Sequence, residues 1–340
     1  MGKLLIVCGP TATGKTALAL KLARKFNGEL VNADSRQIYR GMDIGTGKDL
    51  PVSSRFKAQN PKFELGIEKY QVGYYLVSGV PIWLLDIVWP NYRFSVADYL
   101  RVAVPVIENI WASGKLPILV GGTGFYIKTL LTGVGTLGIE PDWNLRGRLE
   151  KLAVAKLQEK LMAVDPYRFG RLNQSDRNNP RRLIRAIEVA ANGLGRQLES
   201  NRLALGKNDI LWLGLKISYK ELDRLIAKRV EDRLNFGLLK EIGTLLVKYN
   251  FRNSILGKTI AYREWQDYFG VLNGKEKKQA LKKAAIEKWV ADERQYARRQ
   301  MTWFGRNRLI NWFRPDDKNL FLAVAKKVER WYIKSDGQEG

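Results

Sequence analysis

The first residues that could do chemistry form a glycine-rich loop close to the amino end of the chain. Gly9, Pro10, Thr11, Ala12, Thr13, Gly14, Lys15 and Thr16 fit the pattern G-x-x-x-x-G-K-[ST], between an apolar run and a helical segment. Backbone N–H groups of such a loop wrap an anionic phosphate, while Lys15 adds a point charge and Thr16 offers a hydroxyl to Mg²⁺. The loop predicts a site for a di- or triphosphate. It leaves open a kinase, a nucleotide hydrolase or an enzyme that releases diphosphate.

A carboxylate and a second glycine-rich turn follow two other predicted strands. Asp34 lies in the segment 32–48 and faces the same carboxyl-end crevice as the phosphate loop. There it could hold Mg²⁺ through water or accept a proton from a nucleophile, but Asp-Ser at a strand-to-helix turn is also a common helix N-cap. The turn 121–126 contains Thr123, and it either presents donors to the crevice or is a plain tight turn. The spacing leaves both pairs of alternatives open.

The elements that must position these residues alternate between strands and helices. Strands are predicted at 3–8, 30–32, 83–88, 116–120 and 210–217, and helices at 17–26, 219–249 and about 276–304. Such alternation is typical of an α/β fold with a parallel sheet and helices on both faces. Residues 48–79 show no clear period and predict a surface excursion. From about Leu145 the chain becomes mostly helical and rich in arginine.

Composition restricts the chemistry and indicates a polyanionic partner. The 340 residues contain 58 Lys and Arg against 34 Asp and Glu, which gives a formal net charge of +24. The chain has no His and a single cysteine, Cys8, which excludes His-based catalysis, His metal sites, zinc clusters and internal disulfides. A balance this basic points to nucleic acid more often than to a membrane. No apolar run approaches the roughly 20 residues of a membrane span, so we expect a cytoplasmic protein without membrane association.

Several motifs occur in one order along most of the chain, from Gly9 to about Phe313. They are GPTATGKT, NADSRQIYRGMDIGTGK, LLDI followed by FSVADY, VGGTGFYIK, NNPRRLIRAIE and RQYARRQMTW. On these motifs the chain resembles the tRNA dimethylallyltransferases, also called tRNA isopentenyltransferases. The resemblance implies a P-loop NTPase-like α/β core at 1–140 and 206–330, which includes the C-terminal helices, and a mostly helical tRNA-binding insertion at 141–205.

Enzymes of this family transfer a dimethylallyl group from dimethylallyl diphosphate to N6 of adenosine 37, next to the tRNA anticodon. They use Mg²⁺ and release diphosphate. The resemblance implies that Asp34 is the general base and that the loop 9–16 holds the diphosphate, with Thr16 near Mg²⁺. It also implies that Arg233 reaches the same phosphates, although the glycine that usually follows this arginine arrives about one helical turn early, at Gly237.

The same resemblance predicts which residues meet the anticodon stem-loop of tRNA, in an enzyme that we expect to be a monomer. These residues are Asp34, Ser35, Arg36, Gln37, Thr123, Arg146, Arg181, Arg182, Arg185, Lys258, Arg263, Arg298 and Arg299. One departure from the family lies close to this set, because Ala261 stands where the usual residue is glycine.

Three other functions compete with prenyl transfer to tRNA. A small-molecule kinase or a prenyltransferase of free adenine nucleotides would keep the phosphate loop, but neither accounts for RQYARRQMTW or the arginine-rich segment 168–185. A non-catalytic RNA-binding protein would tolerate a degenerate loop, whereas Lys15, Thr16 and Asp34 are all present. We therefore expect prenyl transfer to tRNA.

Overall fold

The computed structural model describes residues 2–51, 54–58, 72–133, 135–136, 139, 141–192, 202–271 and 274–333. The chain divides into two compact units, one formed by Met1–Leu131 and Leu203–Gly340 and the other by Thr132–Arg202. The predicted insertion, 141–205, overlaps most of the second unit but begins and ends later than it. None of the helices in the described part of the chain is both long and apolar enough to cross a membrane.

The first unit is built on one mixed sheet. Its strands are β1 (Leu4–Cys8), β2 (Gly28–Asn32), β3 (Phe56–Ala58), β4 (Gly73–Val77), β5 (Val80–Trp83), β6 (Leu116–Val120), β7 (Ile210–Leu215) and β8 (Ile310–Phe313). Their order across the sheet is β3-β4-β5-β2-β6-β1-β7-β8. The strands from β5 to β8 in this order pair in parallel, whereas β3, β4 and β5 form an antiparallel meander at one edge.

Helices connect the parallel strands and continue after them. They are α1 (Lys15–Lys25), α2 (Val96–Ala112), α3 (Gly124–Thr132), α4 (Trp143–Leu149), α5 (Val154–Val164), α6 (Pro166–Arg171), α7 (Gln174–Arg177), α8 (Pro180–Ala191), α9 (Tyr219–Asn235), α10 (Leu238–Leu246), α11 (Gln266–Gly270), α12 (Lys275–Phe304) and α13 (Leu320–Ile333). In the first unit α12 packs against α9. The second unit is helical and contains α4 to α8.

Three adjacent strands bring the sequence motifs to one edge of the sheet. Every residue of β1, β6 and β2 is buried. Val7 of β1 and Asn32 of β2 both pair with Val120 of β6, so the three strands end at the same level. Because parallel strands place their carboxyl ends together, the phosphate loop, the turn after β6 and the residues after β2 meet at this edge.

The second unit has an apolar core of its own. Leu157, Leu161 and Leu183 are fully buried where α5 and α8 pack together. α6 and α8 each begin on a proline, after Asp165 and Asn179 respectively, and both of these side chains accept a backbone N–H of the first turn. Proline is suited to this position because its missing N–H would have no helical partner.

The predicted α/β class is confirmed, but two predicted elements differ. β5 ends at Trp83, and Leu84 and Asp86 adopt φ values of 65° and 54°, so the strand predicted at 83–88 is wrong beyond its first residue. The helix predicted at 219–249 is two helices, which Gly237 separates. Within the predicted excursion 48–79, the structure forms β3 and β4, while residues 52–53 and 59–71 lie outside the described residues.

Candidate active site

The phosphate-binding loop joins β1 to α1. The hydroxyl of Thr13 donates to the carbonyl oxygen of Pro10 at 2.9 Å and closes the loop. Gly14 caps α1 without a side-chain hydrogen bond, so the first N–H groups of the helix are not satisfied by a capping side chain. Unsatisfied N–H groups at the positive end of a helix form a site for an anion.

Lys15 supplies the positive charge of this loop. Its Nζ donates to the carbonyl oxygen of Pro10 at 2.6 Å. Burial, followed by the nearby positive charge of Arg229, lowers the pKa of Lys15 to about 8, against the opposing effect of Asp34. A bound phosphate would add negative charge and raise this pKa again.

Asp34 follows β2 and is held in a tight turn. Its Oδ1 accepts the N–H of Arg36 at 2.9 Å, and its own N–H donates to Oδ1 of Asn32 at 3.1 Å. Residues 35–38 form turns, so the helix N-cap alternative for Asp34 is wrong. Among the described contacts nothing donates to Oδ2 of Asp34, which leaves one carboxylate oxygen for a substrate.

The turn after β6 fixes the Asp34 turn from the side. Thr123 donates its N–H to the carbonyl of Ala33 at 3.1 Å, and its hydroxyl accepts the N–H of Ser35 at 3.0 Å. The structure thus gives Thr123, which was predicted to meet tRNA, contacts that orient the residues on both sides of Asp34.

A cavity of about 460 Å³ opens beside the phosphate loop and is named here the phosphate-loop cavity. Its polar lining includes Thr11, Thr13, Lys15, Thr16, Asp34, Gln37, Arg229 and Gln300. Its apolar lining includes Leu20, Leu30, Ile82, Leu85 and Val120. Arg229 donates to the hydroxyl of Thr11 at 2.6 Å and to Asp49 at 3.2 Å. The cavity therefore combines an anion site with an apolar wall.

Arg233, which was predicted to reach the phosphates, has other partners. It is 6% exposed, donates to the carbonyl of Gly45 at 3.0 Å and pairs with Glu293 at 3.4 Å. Burial lowers the pKa of Arg233 to about 10. Arg229, one helical turn earlier on α9, lines the phosphate-loop cavity, and Arg233 does not.

A second cavity of about 300 Å³ is also lined by Asp34. It shares Thr11, Asp34 and Thr46 with the phosphate-loop cavity. Its remaining lining includes Ser35, Arg36, Arg233, Lys258, Arg263, Tyr296 and Arg299. Burial, and after it the negative charge of Asp34, raises the pKa of Tyr296, so this phenol stays neutral.

The loop 43–47 contributes to both cavities, with Gly45 lining the second cavity, Gly47 lining the phosphate-loop cavity and Thr46 lining both. Glu241 of α10 accepts the N–H groups of Asp43, Ile44 and Gly45 at 2.9, 2.7 and 3.1 Å. The hydroxyl of Tyr262 donates to the same carboxylate at 2.6 Å. One carboxylate therefore satisfies three consecutive backbone donors and fixes this loop.

The other residues predicted to meet tRNA have mixed surroundings. Gln37 donates to the carbonyl of Gly47 at 2.8 Å, and Arg298 is 3.5 Å from Asp223. In the second unit, Arg146 and Arg185 both bind the fully buried Glu188.

Two more arginines of the second unit lie at the start of α8. Arg182 pairs with Asp176. Arg181 is exposed and has no ion pair among the described residues. Of the predicted arginines of this unit, Arg181 is thus the one whose charge is uncompensated.

Oxygen donors suited to Mg²⁺ line the phosphate-loop cavity. They are the hydroxyl of Thr16 and the carboxylates of Asp34, Asp49 and Asp232. No group of three or more His, Cys, Asp or Glu side chains converges on a metal position in the part of the chain that the structure describes. Mg²⁺ commonly binds through one or two protein oxygens, water and phosphate, so these residues fit it.

This arrangement defines a class of protein. A parallel sheet presents a glycine-rich loop, a helix N-terminus and a lysine to an anion, with a carboxylate at the end of a nearby strand. These are the parts of a P-loop α/β protein that binds a di- or triphosphate.

Two family models together match most of the chain. Residues 68–308 match the model described as IPP transferase, and residues 2–60 match the model described as Isopentenyl transferase. The chain belongs to the IPP transferase family.

Individual relatives agree with this assignment. The chain is 38% identical to tRNA dimethylallyltransferase 2 of Geotalea uraniireducens, over 97% of both chains, and 33% identical to tRNA dimethylallyltransferase of Acetivibrio thermocellus, over 99% of both. Among solved structures, it is similar to the tRNA isopentenylpyrophosphate transferase of Bacillus halodurans, with a TM-score of 0.64, 30% identity and complete coverage of both chains. A eukaryotic dimethylallyltransferase acting on tRNA, at 24% identity with a TM-score of 0.74, covers all of this chain and 82% of its own, and shows the same fold.

Sequence reasoning missed that Arg229 and Gln300 line the phosphate-loop cavity. The early position of Gly237 was a signal for Arg229, because an arginine one turn before Arg233 restores the usual spacing to that glycine. The signal for Gln300 was weaker, since this residue lies within an arginine-rich motif that is typical of an RNA-binding surface.

Proposed function

We propose that the chain transfers a dimethylallyl group from dimethylallyl diphosphate to N6 of adenosine 37 in tRNA, next to the anticodon. The observation that carries this proposal is the position of Asp34, which lines both the phosphate-loop cavity and the second cavity. A proton acceptor between an anion site and a cation-lined cavity is suited to transfer from a diphosphate to a nucleic-acid base.

The reaction forms a bond between N6 of adenine and C1 of the donor while the bond from C1 to the diphosphate oxygen breaks. The amine is a poor nucleophile because its lone pair is delocalised into the ring. Asp34 accepts the proton that N6 loses, and Oδ2 is the oxygen without a protein donor among the described contacts. The electron pair of the broken bond remains on the diphosphate.

The phosphate loop stabilises the charge that develops on the leaving diphosphate. Backbone N–H groups at the start of α1, the ammonium of Lys15 and the guanidinium of Arg229 line the same cavity. Donors that are already oriented act without reorganisation as charge develops. We propose Arg229, rather than Arg233, as the arginine that contacts the diphosphate.

Mg²⁺ would be held by the hydroxyl of Thr16 together with water and diphosphate oxygens. When bound, it would neutralise part of the diphosphate charge. The carboxylates of Asp49 and Asp232 line the same cavity and are available to water molecules around the ion.

The second cavity has the chemistry to receive the acceptor base. Lys258 and Arg299 are exposed at this cavity, and the ring of Tyr296 lies beside Asp34. A base taken out of its stack is recognised by stacking and by polar contacts to its edge, while cations bind the backbone. In the second unit, considered by itself, Arg181 is available to a tRNA phosphate. The monomeric state and the cytoplasmic location stay predictions.

The decisive assay supplies unmodified tRNA, Mg²⁺ and dimethylallyl diphosphate labelled in the prenyl group, with labelled ATP in a parallel reaction. We expect label from the prenyl donor alone to appear in tRNA. Transfer from ATP alone would favour the kinase, and prenylation of free adenosine monophosphate in preference to tRNA would favour the nucleotide prenyltransferase.

Asp34→Asn tests the general base within the same assay. It keeps the size of the side chain and the oxygen that accepts the N–H of Arg36, and it removes the base. Turnover should fall about 10²–10⁴-fold while tRNA affinity changes little. Asp267→Asn, an exposed carboxylate on α11, is the matched control. Turnover of Asp34→Asn close to that of the wild type would reject the general-base role.

A further inference from the structure

We infer that Gln300 is a positioning residue that fixes the phosphate loop relative to the turn that carries the general base. Gln300 lies in α12, within the motif RQYARRQMTW, where the neighbouring arginines are exposed. Its own side chain is only 5% exposed and lines the phosphate-loop cavity. The inference rests on the proposed prenyl transfer, because it concerns the geometry of that reaction.

Both ends of the Gln300 amide are used. Oε1 accepts the N–H of Thr11 at 2.9 Å, and Nε2 donates to the carbonyl of Gly122 at 3.1 Å. A Cβ atom on Gly122 would lie 1.9 Å from Nε2, so the amide fills the space that a side chain at this position would need. A neutral amide carries a donor and an acceptor at one end of the side chain, which this bridge requires.

The two partners of Gln300 belong to the two halves of the reaction. Thr11 is part of the phosphate loop, and its hydroxyl also accepts Arg229 at 2.6 Å. Gly122 immediately precedes Thr123, whose hydroxyl accepts the N–H of Ser35 beside Asp34. A single side chain thus connects the loop that holds the donor to the turn that holds the proton acceptor.

This connection sets the distance between C1 of the donor and the base that receives the N6 proton. An error of about 1 Å in such a distance can lower the rate about 10²-fold, even when the altered residue does not touch the reacting atoms. Gln300 therefore acts through Thr11 and Gly122, and its loss should affect the donor more than tRNA.

The test replaces Gln300 with methionine, which keeps the length of the side chain and removes the amide. We expect kcat/KM for dimethylallyl diphosphate to fall about 10–100-fold, with a higher KM for this donor. The KM for tRNA should stay within about twofold of the wild type. Gln279→Met is the matched control, because Gln279 is an exposed glutamine of the same helix.

A second variant guards against failure of Gln300→Met to fold. Gln300→Asn keeps the amide but is one carbon shorter, so it cannot reach both partners and should show the same selective loss for the donor. A residue needed only for folding would reduce the amount of active protein, and kcat per active site would then equal that of the wild type with both KM values unchanged. That result, or an equal rise of the two KM values, would overturn the inference.

Calorimetry of dimethylallyl diphosphate binding separates this inference from the proposed function. Weaker donor binding by both variants than by Gln279→Met supports the positioning role even if the wild type fails to prenylate tRNA. Unchanged donor binding by folded Gln300→Met and Gln300→Asn, together with unchanged kinetics, would overturn the role of Gln300 and leave the proposed function standing.

Discussion

Binding of dimethylallyl diphosphate should be accompanied by proton uptake at alkaline pH, because Lys15 is only partly charged in the free protein. With a pKa of about 8, Lys15 is half protonated at pH 8 and about nine-tenths deprotonated at pH 9. The bound diphosphate favours the charged ammonium, so the pKa of Lys15 rises on binding. The contribution of the charged Lys15 to donor binding is fully present well below pH 8 and is lost as the pH rises above 8. Donor affinity should fall by up to about tenfold per pH unit above pH 8.

Calorimetry in buffers of different ionisation enthalpy measures this uptake directly. At pH 7, 8 and 9 we expect roughly 0.1, 0.5 and 0.9 protons taken up per donor bound. Lys15→Met should abolish the uptake and reports any proton exchanged by the ligand itself. Arg229→Met removes a like charge, raises the pKa of Lys15 and should therefore reduce the uptake at pH 8. Zero uptake by the wild type at all three pH values, or equal uptake by Lys15→Met, would refute the reasoning.

Four further substitutions probe stability, RNA binding and the cavity wall. Arg185→Ala removes one of the two arginines on the buried Glu188 and should lower the free energy of unfolding by about 2–3 kcal/mol. Arg181→Ala should leave the free energy of unfolding unchanged and reduce the log–log salt slope of tRNA binding by about 0.7–0.9. Ala261→Gly should raise the free energy of unfolding in urea by about 1 kcal/mol, because Ala261 adopts φ of 76°, where glycine is not strained. Gly47→Ala should raise the KM for the donor at least about tenfold, since a Cβ atom there would lie 1.9 Å from Arg233 and 2.1 Å from Arg229 and would displace both guanidinium groups.

Each of these substitutions has an outcome that contradicts its reasoning. A flatter salt slope for Arg185→Ala than for Arg181→Ala would mean that Arg185, and not Arg181, contacts the RNA. A lower unfolding free energy for Ala261→Gly would mean that the methyl group contributes more by packing than its backbone strain costs. Normal donor kinetics in Gly47→Ala would show that the loop moves to admit a side chain.

The sequence predicted the strands that carry the site but not every boundary. β1, β2, β6 and β7 follow from short apolar runs bounded by glycine, proline or polar residues. The run 83–88 has the same composition, yet Leu84 and Asp86 leave the strand conformation, and the side-chain amide of Asn32 donates to the carbonyl of Leu84 at 3.1 Å. This partner lies 52 positions away in the chain, so no local pattern reveals it.

The site shows the same limit of local patterns. Arg229 and Arg233 lie one turn apart on α9 and share one face, so spacing alone does not decide which reaches the phosphate loop. Glu293 of α12 decides it, because this carboxylate pairs with Arg233 at 3.4 Å and holds it away from the phosphate-loop cavity. Likewise, Arg146 and Arg185 satisfy the buried Glu188, a requirement that appears only once the helices of the second unit have packed.

The wall that Thr11, Asp34 and Thr46 form between the two cavities has a consequence for inhibitor design. A bisubstrate molecule, with a diphosphate mimic joined to adenine by a short linker, would occupy both cavities at once. Linking the two halves makes the second binding event intramolecular, so affinity should exceed that of either half without any new contact. The diphosphate mimic alone would bind many P-loop proteins and adenine alone would bind many nucleotide sites, whereas the linked molecule requires the two cavities to adjoin across one carboxylate.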